Sequence, residues 1–542
     1  MKNKRLKALS VAIMFLAPIL NFGQAPTLGT AANFVLFSSN GAVTNTGTSH
    51  LTGDVGSNTT LSTGFGNVDG VMNDKNAASA KCAADLLTAY NQLKADVPTF
   101  FPAPLLGNGD TLVAGVYSIS GASTLNLKLY LNAKGDANAV FVFQMSGPFS
   151  TNALSKIMLI NGALACNVYW KVEGLVSMAT GTSMKGTVIA NNAAIKMTTG
   201  DTLEGRALST AGAVTINGIY AYTPIGCGSP TLTGPTAPTL TASACYAIFS
   251  SNGSVTNTGI TFVNGDIGTN VGLTTGYNAV DVKGTIHPSP DGSTAACAAD
   301  LTTVYNYLNT LAYDIQLLYP AQFGRNLVLT PHTYLMNSAA TFTDTLYLNA
   351  ESNTNAVFVI QVNGALSTST YCKVILINGA QAKNVYWLVK GAVNINNYSL
   401  FKGTIICNNG AINLSTGVTL DGRALTTAGK YTTAAMTDTG AVLPGDCLAL
   451  GISSLNAVNS EETVTIYPNP FNSSTTIVLN GASPMDKAEF RMYNLLGQEV
   501  ASTTITNQET ILETSKLPSG IYFYQVVNND KLIQSGKLIS NK

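Results

Sequence analysis

Residues Gly186–Asn217 read GTVIANNAAIKMTTGDTLEGRALSTAGAVTIN. Two strand-like stretches in it, Gly186-Thr187-Val188-Ile189 and Gly205-Arg206-Ala207-Leu208, start 19 residues apart. A second pair, AIKMT from Ala194 and AVTIN from Ala213, keeps the same 19-residue step. A short, fixed period of strand sequence is the mark of a β-solenoid, in which each turn buries its apolar side only by stacking on its neighbours.

The chain says this twice. Gly403-Thr404-Ile405-Ile406 and Gly422-Arg423-Ala424-Leu425 again lie 19 residues apart. FSSNGAVTNTG at Phe37–Gly47 returns as FSSNGSVTNTG at Phe249–Gly259, and CAADL at Cys82–Leu86 returns at Cys297–Leu301. INGALACNVYW at Ile160–Trp170 returns as INGAQAKNVYW at Ile377–Trp387. The reading is therefore mainly β: two tandem discontinuous β-solenoids, each with one long flanking α-helix, plus a C-terminal β-sandwich. The expected boundaries are 1–24 for a signal peptide, 28–226 and 244–447 for the two copies, 227–243 and 448–462 for linkers, and 463–542 for the last domain.

Only 10% of the 542 residues are charged, and Lys plus Arg balances Asp plus Glu at 28 each. Lys2, Lys4, Arg5 and Lys7 precede the apolar run Leu9–Leu20, which reads as a secretory signal ending near Phe22-Gly23-Gln24-Ala25. Without that segment the chain is slightly acidic, so nucleic acid is not an expected partner. Eight cysteines in an exported chain suggest disulfides, and the expected pair is Cys82–Cys166. His50, His287 and His332 are scattered and no CxxC spacing occurs, so neither a metal nor a cofactor is expected.

Helical spacing of small and apolar residues predicts helices over Asp74–Val97 and Thr294–Ile315. The strands Asn167–Val172, Gly186–Asn191 and Gly205–Thr210 are apolar at both alternate positions, so both of their sides are covered, one of them by the helix. The other strand set alternates. In copy one PFSTN, LVSMA, AIKMT and AVTIN follow at steps of 27, 19 and 19 residues, and copy two repeats those steps. Phe149, Val176, Ile195, Val214, Met178, Met197 and Ile216 form its inward set. Outward stand Ser150, Ser177, Thr215, Asn152, Thr198 and Asn217 in copy one, together with Lys196 and Ala179. In copy two the outward set is Ser367, Asn394, Asn413, Thr432, Ser369, Asn396 and Ser415, with Ala434. Thr180, Thr199 and Thr416 lie at the edge of this set. The neighbouring strands expose Lys185 and Glu204 and are poorer candidates.

Rungs about 4.7–4.9 Å apart, with alternate residues about 6.4–6.8 Å apart, make this outward set a flat grid of short, nearly uncharged side chains. Both spacings are close to repeats of the ice lattice, and such a grid can hold water in an ice-like pattern. Two other functions compete. Polysaccharide cleavage on a β-helix needs converging acids. Asp54, Asp85, Asp201 and Glu204 form no convincing set, and Asp54 with its counterpart Asp266 reads as a turn-forming residue. Asp85 and Asp300 read as hydrogen-bond partners on the helices. No catalytic residue is expected. A surface adhesin binding cells or glycans would require aromatic platforms or a calcium cluster, and the grid offers neither.

FVLFSSNGAVTNTG…LTGDVG, CAADLLTAY and INGALACNVYW…GTVIA…GRALSTAG together resemble the microbial ice-binding proteins. The resemblance covers nearly all of both copies and implies adsorption to ice through one flat solenoid face. Freezing-point depression, inhibition of recrystallisation, or tethering of a cell to ice would follow. TIYPNPFNSSTTIVL, YNLLGQEV and LPSGIYFYQV…GKLI resemble the C-terminal sorting domain of type IX (Por) secretion. That resemblance implies the secretion machinery as a partner and an extracellular or surface location. A monomer is expected.

Overall fold

The computed structural model describes residues 23–227, 231–439, 464–479, 488–494, 498–505, 508–528 and 531–541. The basic and apolar parts of the expected signal, the 448–462 linker and Cys447 lie outside the described residues. The chain divides into two compact units, 1–448 and 449–542.

The first unit holds two solenoids built alike, each a coil of parallel strands with three faces. In the first solenoid one face stacks 115–119, 141–145, 168–172 and the second halves of 183–190 and 202–209. The N-terminal strand Phe34–Ser38 then pairs with the last of these (Leu36 opposite Ala207), and Asp54–Ser57 pairs with it in turn. The chain thus starts at one end of the coil, leaves it, and winds back towards its own beginning. The same order recurs in the second solenoid, where Ile248 lies opposite Ala424.

The repeated arginine of GRAL fastens this closure. Arg206 Nε donates to Ala32 O at 2.8 Å and a terminal nitrogen reaches Thr187 Oγ1 at 3.1 Å. Arg423 Nε donates to Ala244 O at 2.8 Å. A buried guanidinium is tolerable only with such partners.

The first face carries the helix. Helix α1 (Ala77–Ala95) packs Cys82, Leu86, Ala89, Tyr90 and Leu93 on Phe34, Phe37, Val116, Val142, Tyr169, Ile189 and Leu208. Helix α2 (Gly292–Thr310) does the same in the second solenoid. Both are shorter than the spacing predicts. Asn76 with Ser79, and Asp291 with Thr294, form capping boxes that fix where each helix starts. Downstream of α2, Leu311 turns extended and Ile315 joins a strand.

Inside each coil the apolar residues stack in columns. Trp170 lies 4.0 Å from Phe143 and 5.6 Å from Phe149, centroid to centroid, and its Nε1 donates to Lys185 O at 2.8 Å. Trp387 makes the equivalent bond to Lys402 O at 2.9 Å.

The expected Cys82–Cys166 pair does not form. Cys166 is bonded to Cys227, while Cys82, on the inner side of α1, is fully buried as a thiol. The helix buries Cys82 against the first face, whereas Cys166 sits in the short turn Ala165–Asn167. The Pro/Thr-rich segment after Cys227 lies along the second solenoid: Thr233 O accepts from Val357 N and Thr236 O from Tyr307 Oη.

The second unit shows two antiparallel sheets, of three and four strands. Val464, Phe471 and Ile477 share one apolar core with Phe490, Met492, Tyr522, Tyr524 and Leu538, as a β-sandwich requires.

Candidate functional site

The remaining two faces of each coil are open to solvent, and they differ sharply. The third face of the first solenoid stacks Tyr130 beside Met158, and Lys185 beside Glu204, which pair at 2.7 Å. In the second solenoid Tyr347 lies beside Ile375, and Lys402 pairs with Asp421 at 3.2 Å. Long, charged and aromatic side chains of unequal height stand there together.

The second face is the alternating one. Phe149, Val176, Ile195 and Val214 are opposite one another and fully buried, while Ser150, Ser177, Lys196 and Thr215 align on the outside. In the second solenoid Ser367, Asn394, Asn413 and Thr432 align on successive rungs. Every outward residue of the sequence reading is half-buried or exposed. Asn152, Thr198 and Asn217, and in the second copy Ser369, Asn396 and Ser415, stand two residues further along their strands as a second column.

The face is longer than its 19-residue period reveals. In the first solenoid Thr124 precedes Ser150, and Thr44 then Thr63 follow Thr215. In the second, Thr341 precedes Ser367, and Thr256 then Thr275 follow Thr432. The first column of the second solenoid is thus Thr-Ser-Asn-Asn-Thr-Thr-Thr with no charge. Lys196 is the single charge in the corresponding positions of the first. The alternation in FSSNGAVTNTG and FSSNGSVTNTG is the signal that points to Thr44 and Thr256.

Hydrogen bonds along the solenoid axis hold several of these side chains in one orientation. Thr124 and Ser150 hydroxyls are 3.0 Å apart, and Thr432 Oγ1 donates to Asn413 Oδ1 at 2.7 Å. Asn152 Nδ2 donates to Asn126 Oδ1, and Asn126 Nδ2 to Asn108 Oδ1, both at 2.8 Å. A surface whose rotamers are already fixed loses less entropy when it binds. Asn396 instead donates its amide to Thr368 O.

Thr180, Thr199 and Thr416 are exposed at the corner, each next to a glycine with φ between 72° and 79° that turns the chain. Only Thr180 reaches the face, at 3.5 Å from the Thr198 hydroxyl. In the second solenoid Tyr371 and Tyr398 stack at this corner, 5.2 Å apart and exposed, two residues beyond Ser369 and Asn396 of the second column.

Asp201 secures the corner from within. It is fully buried and accepts from Thr182 N at 2.9 Å and Thr198 N at 2.7 Å. Burial pushes its carboxyl up to about 6, against the pull of those backbone amides. A carboxyl raised in the folded state is protonated earlier there than in the unfolded chain. Stability should therefore rise as pH falls from about 6.5 towards about 4. Burial raises Asp54, Asp69, Asp96 and Glu351 in the same sense, so calorimetric melts across this range should show that rise and Asp201→Asn should lessen it without removing it.

The other carboxylates considered for chemistry are structural and dispersed. Asp54 Oδ1 accepts from Val71 N and Asp266 Oδ1 from Thr285 N, each at 2.8 Å, so both tie successive turns. Asp85 accepts from Thr30 and Asp300 from Ala242, anchoring each helix to the short turn that leads into the first strand of its copy. Among the described residues no group of three or more His, Cys, Asp or Glu could hold a metal ion, and no helix is long and apolar enough to cross a membrane.

A crystal structure of an ice-binding protein from an Antarctic Flavobacteriaceae bacterium matches with a TM-score of 0.75 and 59% identity, over 76% of this chain and 98% of that one. An ice-binding protein of Nostoc sp. (strain HG1) is 36% identical over 224 residues, 40% of this chain and 82% of the relative. One from Flavobacterium frigoris (strain PS1) is 31% identical over 200 residues, 34% and 71% of the respective chains. A secretion system C-terminal sorting domain matches 465–541, which places the protein outside the cell or on its surface. The ice-binding-like family model matches residues 37–220 and 249–439, both solenoids nearly whole, and the chain belongs to that family.

Proposed function

We propose that the protein adsorbs to ice through the second face of both solenoids, so that ice growth and recrystallisation are inhibited or a cell is held to ice. The contact residues are Ser150, Ser177, Thr198, Thr215, Asn152 and Asn217 in the first solenoid. In the second they are Ser367, Asn394, Asn413, Thr432, Ser369, Asn396 and Ser415, with Thr124, Thr44, Thr63, Thr341, Thr256 and Thr275 extending the rows. The observation that carries the assignment is the contrast between the two open faces: only on this one are the aligned outward side chains nearly all short and uncharged. Waters bound across it can keep hydrogen bonds to the protein and to each other. A charge would reorganise them around itself.

The reading takes the protein to act as a monomer, without catalysis, cofactor or nucleic acid, and the C-terminal domain to engage the secretion machinery. The test is a labelled full-length chain exposed to a slowly growing ice front. Uptake into the ice is expected, and exclusion like an ordinary solute would refute the function.

Lys196 is the weak point of the first face. Lys196→Thr should raise ice uptake, because a lysine gives up strong hydration to approach a solid surface. Uptake unchanged or lowered would remove the first face from the assignment.

A further inference from the structure

The two solenoids meet end to end, and they meet in register. The last rung of the first coil, which carries Thr63 and then Asn67, faces the first rung of the second, where Asn67 bonds Tyr319 just before Phe323 and Gly324. On the side of the polar ladders, a cavity of about 330 Å³ is lined from one coil by Asn45 and Gly64 and from the other by Gln322 and Gly324. On the third face, His50–Thr52 lies against Leu327–Leu329. On the helix side, a cavity of about 570 Å³ brings Asp54 to Asp314 and Ile315. Each face of one coil therefore abuts the same face of the other.

The joint is held by polar contacts that leave little play. Asp69 of the first coil is buried and accepts from Tyr334 Oη at 2.6 Å, Thr330 Oγ1 at 2.8 Å and Thr330 N at 3.1 Å. Asn67 exchanges two hydrogen bonds with the backbone of Tyr319, at 2.9 and 3.0 Å. A carboxylate bonded in this way at a buried position fixes direction as well as distance.

From this geometry we infer that the two ladders form one continuous ice-contacting surface that crosses the joint, and that Gln322 is part of it. Gln322 precedes Phe323, which lies opposite Phe342, so it occupies the same outward position as Thr341. It is exposed, and its amide oxygen lies close to Gly66 of the first coil. The outward column then runs Thr44, Thr63 on one side of the seam cavity and Gln322, Thr341 on the other. Duplication here lengthens one rigid face, instead of joining two independent binders by a tether. The inference rests on the ice-binding reading above.

Gln322 and Thr275 stand at opposite ends of the second ladder. If each ladder acted alone, both would be terminal positions, and a bulky residue at either would cost the same. If the surface is continuous, Gln322 lies at its middle and Thr275 at its end. In the full-length chain, Gln322→Tyr should lower ice uptake about tenfold and Thr275→Tyr less than about twofold, since a central obstruction lifts both halves and a terminal one only its neighbours. Both positions are exposed, and circular dichroism checks that the coil is retained. Equal losses from the two variants, or no loss from Gln322→Tyr, would overturn the composite surface. Failure of the unsubstituted chain to enter ice would instead overturn the ice-binding reading itself.

Discussion

Thr432→Tyr should abolish most of the ice uptake and ice shaping by the second solenoid while leaving its fold intact. Thr432 stands between Asn413 and Thr256 on adjoining rungs, inside the uncharged ladder rather than at its end. Tyrosine suits a strand, and the side chain points outward, so the core residues Tyr431 and Thr433 on either side keep their places. The ring, however, rises well above a row of hydroxyls and amides. It holds its neighbours away from a flat solid at several positions at once. Each lost hydrogen bond is worth about 0.5–1.5 kcal/mol net, so losing three or four weakens adsorption tenfold or more. Lys373→Tyr, exposed on the third face, is the control and should change nothing. Ice shaping that survives Thr432→Tyr and fails in Lys373→Tyr would move the site to the third face.

The parts of this surface that could be read in the sequence are those produced by a constant step. Val176, Ile195 and Val214 are opposite one another because 19 residues make one turn, and the same step sets Ser177, Lys196 and Thr215 outside. Thr44 and Thr256 escape that logic. They reach the ladder only because the N-terminal segment of each copy closes the coil after the C-terminal rungs, so Thr44 pairs with Thr215 across most of the domain. No local period encodes such a pairing. Thr124 and Thr341 are missed for a second reason, since the turns before Ser150 and Ser367 are longer than those after Ser177 and Asn394. The disulfide was beyond reach too. Cys227 looks like part of a linker until the chain is seen to return to the turn that holds Cys166. The joint depends on Asp69, which in sequence is one more Asp-Gly turn, and only folding places it against Tyr334, 265 residues away.

Trp387→Ala should be the most damaging single change to the second solenoid, and its effect should reach the ladder from beneath. The indole is fully buried, 4.8 Å from Phe401 and 6.2 Å from Phe323, and its nitrogen satisfies the carbonyl of Lys402. Truncating a buried aromatic of this size costs about 3–5 kcal/mol. For a domain of this length that should lower the melting temperature by about 10 °C. A solenoid is stabilised mainly between neighbouring turns, so the loss should be local before it is global. Amide exchange should accelerate first on the rungs of Phe323, Phe342 and Phe401, while the first solenoid, whose core holds Trp170, keeps its protection. Phe323 and Phe342 lie directly under the seam and the start of the second ladder, opposite each other on adjacent rungs. Ice uptake should therefore fall even at temperatures where the variant remains folded, because a face that matches a crystal has to be level as well as polar. Trp387→Phe, which keeps most of the volume but gives up the bond to Lys402 and part of the ring, should recover most of the uptake. If both variants adsorb to ice like the parent protein, rigidity of the core is not what the face depends on.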